Sequence, residues 1–412
     1  MVWWRSILVV LVGISGARAA DWPQWLGPTR DGASGETVAA WTEAPKVLWR
    51  QAIGEGHSSP VVADGRVFVH ARVKDKEEEE VLAFDVKTGN SLWKKSYSRG
   101  SFSNIFGNGP RGTPAVAGDH VFTFGVTGFL SCWEAKTGKL VWQVNTLKDF
   151  NAKNLFFGMS VSPLVVDNDL VLVNVGGAGA SLVAFQTKTG QVAWKKLDDK
   201  ASYSSPILVG EGRNRQAIFL TQQGLESVNP SDGNLYWHYP FVDALSESST
   251  TPVVAGGTLM ASSITLGSVG LQMDNKDGRH SVKEVWKSPD LTCYFSTPVA
   301  VDKDHIFVVT GTKPPSLNIK ADLHCVEAPT GKTLWQKTGV GKYHATLLRT
   351  GNNKLLMLDD AGHLILLEPN FKEYRELCRA KVCGETWAHP ALSDGRLFVR
   401  DRDALICLQL GP

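Results

Sequence analysis

The residues of this sequence that could do chemistry share one recurring place, three positions before a proline or its equivalent that begins each of eight similar segments. They are His57, Arg111, Ser160, Tyr203, Ser249, Phe295, Tyr343 and Trp387, and their neighbours add Tyr294, His344 and His389. Positions that hold a repeated fold together repeat their residue type, whereas this position varies and is rich in aromatic, His and Arg side chains. Aromatic rings can stack on a ligand, and a guanidinium can hold a carboxylate or phosphate. The pattern predicts a binding surface, and side chains that merely fill a channel are the alternative.

These residues do not form a recognisable catalytic set. No carboxylate accompanies them as a general base, and Asp85 and its counterparts lie in predicted turns, where such side chains bond the local backbone. The six cysteines and ten histidines show no spacing that is typical of a metal site. We therefore expect no metal site and cannot name catalytic residues, so a non-enzymatic role is favoured.

The elements that position these residues belong to a repeat that recurs about every 40 to 50 residues. Each copy begins with a small hydroxyl residue before a proline, continues through apolar strands, and ends with a glycine turn and a tryptophan. Glycine takes a positive φ in such a turn without steric cost, and a large ring at a constant place suits packing between neighbouring units. One copy is therefore predicted to be four strands. The turn glycines and tryptophans that show the spacing most clearly are Gly89 with Trp93, Gly138 with Trp142, Gly190 with Trp194, Gly233 with Trp237, and Gly331 with Trp335.

The two ends of the chain complete one another. A degenerate seventh copy begins at residues 344–346, and an eighth begins at residues 388–390 and stops after its third strand. Residues 45–49 carry the tryptophan of a copy but no strands before it. Pairing of residues 47–50 with residues 405–410 would complete the eighth unit and leave no long exposed sheet edge. The sequence predicts an all-β fold: an eight-bladed β-propeller of four-stranded antiparallel blades over residues 45–412, closed by its N-terminal strand.

Two segments precede the predicted propeller. Residues 1–20 combine a positive charge, a short apolar run and a small-residue cleavage motif near Ala19, which is typical of a signal peptide. We therefore expect an exported protein, periplasmic or secreted, without a membrane span, and without a lipid anchor because no cysteine follows the cleavage motif. Residues 21–44 lie outside the repeat, and their tryptophans, prolines and glycines predict an ordered irregular strap over the propeller, held by Trp22 and Trp25.

The charge balance excludes nucleic acid as a partner, and two local segments, residues 74–80 and 312–321, stand out from the repeat. Lys and Arg number 43 against 41 Asp and Glu, so there is no basic excess that would indicate nucleic-acid binding. The charged run at residues 74–80 predicts a solvated hairpin loop. Residues 312–321 predict a surface insertion in the sixth blade, with a lid or partner contact as the alternative.

The cysteines fall into two groups. Cys132 and Cys325 stand six residues before a turn glycine, and Cys407 fits the same place in the last copy, so all three are predicted to be small buried residues. Cys378 and Cys383 could form a local disulfide, although close spacing alone does not set the geometry that a disulfide requires.

The repeated pattern of small residue, x, acid, x, x, Thr-Gly, x, x, x, Trp resembles the PQQ-like β-propeller repeat of quinoprotein alcohol dehydrogenases and of the outer-membrane assembly factor BamB. The resemblance covers the whole chain after residue 20, and the Trp-Pro-Gln of residues 22–24 with the motifs at 106–114 and 201–206 is similar to exported bacterial BamB-like proteins. It implies a binding or scaffold propeller for a protein or peptide partner in the cell envelope, or alternatively a PQQ-dependent alcohol dehydrogenase with calcium. The chain lacks the vicinal cysteines and haem motif of those dehydrogenases, so we expect no cofactor.

Overall fold

The structure is a computed structural model that describes residues 21–276, 278–313, 316 and 318–411. The described residues form eight four-stranded antiparallel sheets arranged as the blades of a ring, so the predicted eight-bladed propeller is confirmed. Helical structure is limited to a short helix, α1 (Thr146–Asp149), and one 3-10 turn (Gly212–Asn214). The predicted signal peptide, residues 1–20, lies outside the described residues.

Within each of blades 1 to 7 the strands follow one another from the axis outwards. The first four blades are β2 (Val61–Ala63), β3 (Arg66–Arg72), β4 (Glu78–Asp85) and β5 (Ser91–Ser98); β6 (Ala115–Ala117), β7 (His120–Phe124), β8 (Phe129–Glu134) and β9 (Leu140–Asn145); β10 (Leu164–Val166), β11 (Leu170–Gly177), β12 (Ala180–Gln186) and β13 (Val192–Lys196); β14 (Ile207–Val209), β15 (Gln216–Leu220), β16 (Gly224–Val228) and β17 (Leu235–Pro240).

The remaining blades continue the pattern, and the last one takes its outermost strand from the N-terminal end of the propeller. They are β18 (Val253–Ala255), β19 (Thr258–Ser263), β20 (Gly267–Lys276) and β21 (Arg279–Ser288); β22 (Val299–Ala300), β23 (His305–Thr310), β24 (Ala321–Glu327) and β25 (Thr333–Gly341); β26 (Ala345–Arg349), β27 (Leu355–Asp359), β28 (His363–Leu367) and β29 (Glu376–Lys381); β30 (Ala391–Ser393), β31 (Arg396–Arg400), β32 (Ala404–Gln409) and β1 (Val47–Ala52).

The ring closes as the sequence predicts. Strand β1 pairs antiparallel with β32, and Val47, Trp49 and Arg50 lie opposite Leu408, Cys407 and Ile406. The backbone groups of β32 that would otherwise form a free edge are thereby bonded within the chain. The two ends of the propeller are joined by a complete sheet.

The recurring tryptophan packs against the turn glycine of the next blade at five blade boundaries. The ring of Trp49 lies against Gly89, where an added Cβ would meet ring carbons at 2.6 Å and where φ is +72°. The Nε1 of Trp93 donates a hydrogen bond of 3.0 Å to the carbonyl of Ala135 in the following blade. Both the positive φ and the close approach require glycine, which explains the fixed Gly and Trp spacing. The contacts across blade boundaries are Trp49 with Gly89, Trp93 with Gly138, Trp142 with Gly190, Trp194 with Gly233, and Trp286 with Gly331.

The hydroxyl residue before each proline also joins neighbouring blades. Innermost strands of adjacent blades do not pair with one another, so their buried N–H groups need another acceptor. A hydroxyl from the adjacent blade supplies it: the Oγ1 of Thr113, for example, accepts the N–H of Ser59 at 3.1 Å. We call this set the hydroxyl girdle, and its members are Ser59, Thr113, Ser162, Ser205 and Thr297, which accept the N–H groups of His389, Ser59, Thr113, Ser162 and Thr251.

The prediction that the charged run at residues 74–80 is a solvated loop is wrong for its second half. Strand β4 begins at Glu78, and Glu79 is completely buried. The Glu79 carboxylate accepts hydrogen bonds from the Tyr97 hydroxyl at 2.5 Å and from the Val126 N–H at 3.1 Å. Its partners stand outside the run, so the local composition could not reveal them.

The two predictions about the cysteines have different outcomes. Cys132, Cys325 and Cys407 are fully buried, as their repeated position predicts. Cys378 and Cys383 are both free thiols, so the structure does not contain the disulfide that their spacing allowed. Of the insertion at residues 312–321, positions 314, 315 and 317 lie outside the described residues, and the Thr312 hydroxyl bonds the Lys320 carbonyl at 2.9 Å.

Candidate functional site

The strap, residues 21–44, closes one end of the propeller axis. It has a contact or hydrogen bond with every blade, taken in order from blade 1 to blade 8: Trp22 with Val62, Pro23 with Val116, Arg30 with Ser162 and Pro163, Arg30 with Pro206, Trp25 with Thr251, Gly32 with Val299, Ser34 with Arg349, and Glu36 with Gly395. A segment fixed at so many places acts as part of the fold. We call this the strap end of the axis.

Arg30 is the residue that fixes the strap near the axis. Its Nε donates to the Pro206 carbonyl at 2.9 Å, and its Nη1 and Nη2 donate to the carbonyls of Pro163 and Ser162 at 2.9 and 3.1 Å. A fourth bond of 3.2 Å reaches the Gln24 side chain. Burial lowers the pKa of Arg30 to about 9, which leaves the guanidinium charged at neutral pH. Four of its five N–H groups are therefore bonded, and the side chain is structural.

The opposite end of the axis opens into a cavity with an empty volume of ≈ 840 Å³ that we call the mouth chamber. Trp25 of the strap contributes to its inner wall, donating from Nε1 to the Thr251 hydroxyl at 2.9 Å and meeting the His389 ring edge-on at 4.6 Å. The residues that line the chamber are Trp25, His57, Phe106, Arg111, Phe157, Ser160, Ser162, Tyr203, Ser205, Glu247, Ser249, Tyr294, Phe295 and Trp387.

The structure brings together most of the residues that the varying sequence position singled out. Seven of the eight line the mouth chamber, as does the neighbouring Tyr294. Tyr343 lines an adjoining groove instead. His344 and His389 are buried, with 1% and 4% of their surface exposed, and do not line the chamber. The role of all these residues in binding remains a prediction. Eight of them, seven from the varying position and Tyr294, line one chamber, as a shared binding site requires.

One half of the mouth chamber is aromatic. The Trp387 ring is held between His57 and Phe295, with ring centroids 5.2 Å apart on both sides and interplanar angles of 25° and 20°. Phe106 and Tyr343 meet the same indole at 6.0 and 5.5 Å. These stacked rings form a rigid apolar wall contributed by blades 1, 6, 7 and 8.

The other half is polar and comes from blades 2 to 5. The guanidinium of Arg111 donates to the carbonyls of Gly109 and Gly107 at 2.9 and 3.0 Å, and burial lowers its pKa to about 10, so it stays charged. The Ser160 hydroxyl donates to the Gly158 carbonyl at 3.0 Å. The Ser249 hydroxyl bonds the Tyr294 carbonyl. One cation and several hydroxyl oxygens thus face the aromatic wall.

Several lining residues were not predicted from the sequence. Glu247 accepts a hydrogen bond from the Tyr294 hydroxyl and is the one carboxylate among the chamber's lining residues. Phe106 and Phe157 come from loops between blades, and Trp25 comes from the strap. None of the four occupies the varying position. The strap prediction includes Trp25 and the motif at 106–114 includes Phe106, but neither prediction placed its residue in a binding site.

His57 is a weak base. Its Nε2 lies 2.8 Å from the carbonyl of Phe106, a contact that requires a proton on Nε2. Burial and the nearby Arg111 charge lower the pKa of His57 to about 4, so the imidazole is neutral at pH 7 with its other nitrogen unprotonated. Its role in the structure is to hold the loop that carries Phe106.

Two loops project beside the chamber, and we call residues 101–109 and 154–158 the mouth loops. Ile105 and Phe156 are 87% and 67% exposed, which makes them the most exposed large apolar side chains of the described chain. The Asn104 amide donates to the Phe156 carbonyl at 2.9 Å and ties the two loops together. Phe157 packs edge-on against Phe156 at 4.9 Å. A tied pair of loops presents apolar side chains to solvent.

The groove beside the chamber is mixed in charge. It shares the His57, Phe106 and Trp387 wall with the chamber. Its carboxylates are Glu55, Asp360, Glu385 and Asp401, and its cations are Lys342 and Arg402. Several of these carboxylates already bond the backbone: Asp360, for example, accepts the N–H groups of Lys342 and Tyr343. The groove therefore contributes mainly to holding Tyr343 near the axis.

The chamber does not supply the donors that PQQ with calcium requires. Calcium takes six to eight oxygen ligands, usually with several carboxylates. Glu247 is the single carboxylate that lines the chamber, and the part of the chain that the structure describes has no group of three or more His, Cys, Asp or Glu side chains suited to a metal. The donor set of the chamber therefore does not fit calcium, and the expectation that the chain binds no PQQ stays a prediction.

Comparison with known proteins decides the family. A sequence profile described as "Outer membrane protein assembly factor BamB" matches residues 29–103, 77–313 and 267–410, which is almost the whole described chain. The chain belongs to this BamB family. The resemblance that the repeat indicated is thereby confirmed.

Relatives within and beyond the BamB family agree on the fold. BamB of Shewanella oneidensis is 23% identical over 404 residues and is matched over 91% of both chains. The quinohemoprotein alcohol dehydrogenase ADH-IIG of Pseudomonas putida is 27% identical over 188 residues, which are 44% of this chain and 24% of that enzyme. The crystal structure of BamB from Moraxella catarrhalis superposes with a TM-score of 0.61 at 16% identity, over 89% of this chain and 98% of that one. None of the helices in the described residues is long and apolar enough to cross a membrane.

Proposed function

We propose that this BamB-family propeller is an exported, non-catalytic binding module that holds a protein partner in the cell envelope at its mouth end. One observation carries the proposal: the strap end is sealed by bonded residues, whereas the mouth end presents Ile105 and Phe156 to solvent beside an aromatic chamber. Exposed apolar side chains grouped at one place are characteristic of protein interaction sites. The relatives named as outer membrane protein assembly factors support a partner of this kind.

The chemistry of the chamber supports binding in preference to catalysis. His57 is neutral and bonded to the backbone, and Glu247 is bonded by the Tyr294 hydroxyl. The lowered pKa makes His57 a weak base, and one oxygen of the Glu247 carboxylate is already bonded within the fold. The aromatic wall and Arg111 instead offer the two elements that dominate binding energies at protein interfaces, aromatic rings and arginine.

Site-specific photo-crosslinking in cells of the source organism tests the proposal. A photoreactive residue is placed at position 105 or 156 of the full exported chain, and in matched controls at position 92 or 192, where Leu92 and Val192 are 47% and 46% exposed on outer strands. We expect one discrete crosslinked protein from the mouth positions and none from the controls. Crosslinks of equal yield at the controls, or none at the mouth loops, would contradict the proposal.

A further inference from the structure

Arg111, which is partly exposed, leaves more of its hydrogen-bonding capacity unused than the buried arginines Arg30, Arg99 and Arg400. Arg30 makes four hydrogen bonds, and Arg400 makes three to the carbonyls of Ser58, His70 and Gly54. Arg99 is paired with Glu77 at 2.9 Å. Arg111 makes two, and no carboxylate of the described residues lies within ion-pairing distance of it.

A largely buried cation without a carboxylate partner is unfavourable unless something else bonds it. Three of the five N–H groups of Arg111 have no acceptor within the described chain, and the side chain lines the mouth chamber. A guanidinium fork fits a carboxylate, which accepts two parallel N–H bonds. The first requirement on the ligand is therefore a carboxylate.

Three of the remaining polar groups of the chamber offer acceptors. The hydroxyl hydrogens of Ser160 and Ser249 are already used on the carbonyls of Gly158 and Tyr294, so both oxygens offer lone pairs. Glu247 offers carboxylate oxygens beside its bond from Tyr294. These groups suit an N–H donor that lies near the carboxylate of the ligand. Across from them, the wall of Trp387 and Phe295 suits an aromatic or large apolar side chain.

The shape of the chamber selects a chain end over a continuous segment. Trp25 of the strap lies at its inner wall, and the strap contacts all eight blades beneath it. A segment in the middle of a partner chain would have to enter and leave by the same opening. A terminal residue enters once, and the C-terminal residue of a protein combines a carboxylate, an N–H group and a side chain on adjacent atoms.

We propose that the mouth chamber binds the C-terminal residue of the partner protein, with its carboxylate on Arg111 and an aromatic or large apolar side chain against the wall of Trp387 and Phe295. The proposal rests on the proposed function, because it specifies which part of the partner is held at the mouth end. A free aromatic amino acid shares this chemistry, so the test includes it as a competitor.

Fluorescence anisotropy of a short peptide, labelled at its N-terminus and ending in phenylalanine, tests this with the purified mature chain. The comparison peptides carry a C-terminal amide or a terminal alanine. We expect the free acid to bind about ten-fold more tightly than the amide, since the charge-assisted bonds to Arg111 are lost in the amide. The alanine peptide is expected to bind more weakly than the phenylalanine peptide by a similar factor of about ten.

Variants of the chain separate the role of Arg111 from a general loss of structure. In Arg111→Gln the preference for the acid over the amide is expected to vanish, and in Arg111→Lys part of it is expected to remain because the charge is kept. Arg213→Gln, at an exposed position of the 3-10 turn, is the matched control and is expected to keep the full preference. Thermal unfolding of each variant shows whether the fold is intact.

Three results would overturn this inference: equal binding of acid and amide, an unchanged preference in Arg111→Gln, or free phenylalanine competing as well as the peptide. If crosslinks at position 105 persist while acid and amide bind equally, the chain-end inference fails and the proposed function stands. If the peptide binds as expected but no partner is crosslinked at the mouth loops, the proposed function fails while the chamber's ligand preference stands.

Discussion

The strap end and the mouth end each place an arginine near the same axis, Arg30 buried and Arg111 partly exposed, and the two arginines have different surroundings. Arg30 is bonded by four acceptors, three of them backbone carbonyls of blades 3 and 4. Arg111 is bonded by two carbonyls of its own loop and faces the chamber. Groups that serve the fold are satisfied within the fold, whereas groups kept for a ligand retain free donors. The predictions below test that difference, beginning with the largest effect.

Replacing Arg30 by alanine is expected to cost about 4 kcal/mol of unfolding free energy, because three buried carbonyls lose their partner at about 1–3 kcal/mol each. Arg111→Gln is expected to cost about 1 kcal/mol or less, since water from the open chamber can replace its bonds. Urea unfolding of both variants against the parent chain measures the two effects. Equal losses of unfolding free energy in the two variants would contradict the proposed difference between Arg30 and Arg111.

A fall in pH is expected to lower the unfolding free energy through the buried His389, which packs against Trp25 of the strap. Burial, with the nearby His344, lowers the pKa of His389 from 6.5 to about 3, so the folded chain keeps this imidazole neutral while the unfolded chain protonates it below pH 6.5. The stability is therefore fully present above that pH and is lost as the pH falls, by about 2 kcal/mol at pH 5 for this group. His389→Gln should flatten the dependence when unfolding is followed between about pH 7 and pH 5.

The half-buried His120, near the start of β7, gives the matched control for that measurement. His120→Gln is measured in parallel as the control for replacing a histidine by glutamine. A variant of His389 with the same slope as the parent chain would show that this histidine does not carry the effect.

The repeat and the position that breaks it could both be predicted from the sequence, whereas contacts between distant residues could not. The Gly and Trp spacing predicted the blades, and β1 pairs with β32 as the incomplete eighth copy required. The varying position located most of the chamber because its absence of repetition is itself a signal. The burial of Glu79 depends on Tyr97 and Val126, which lie on other strands, and no local pattern reports such contacts.

Residues in the loops between blades could not be placed from the sequence. Phe106 reaches the chamber through a loop of irregular length. Glu247 stands five residues before Pro252, as Glu55 and Glu385 stand before Pro60 and Pro390, but this glutamate is missing from the other copies. In blade 5 the strands of the outer hairpin, β20 and β21, are 10 residues long each. Trp286 therefore does not follow a turn glycine at the spacing found in the other copies, and the repeat pattern did not identify it. Irregular segments are placed by tertiary contacts, and these are not visible in a single sequence.

Thr113 of the hydroxyl girdle does not line the mouth chamber, so its replacement should have an intermediate effect on stability and none on binding. Thr113→Val leaves the buried N–H of Ser59 without an acceptor and is expected to cost about 1–2 kcal/mol. Thr333→Val, at an exposed position of β25, is the control and should change stability by less than about 0.5 kcal/mol. Chemical denaturation measures both, and peptide affinity of Thr113→Val should equal that of the parent chain.

The smallest effect on stability is expected at the mouth loops. Ile105→Ser replaces a side chain that is 87% exposed and should change the unfolding free energy by less than about 0.5 kcal/mol. The same change should reduce the yield of the crosslink formed from position 156, because it removes part of the apolar surface. An unchanged yield would place the partner away from these loops.

Hydrogen exchange of the mature chain, measured by mass spectrometry with and without the peptide ending in phenylalanine, tests the difference between the two ends most directly. We predict slower exchange in residues 101–109 and 154–160 when the peptide is bound, and no change in residues 21–36 of the strap. Protection confined to the strap, or spread evenly over the outer strands, would contradict the assignment of binding to the mouth end.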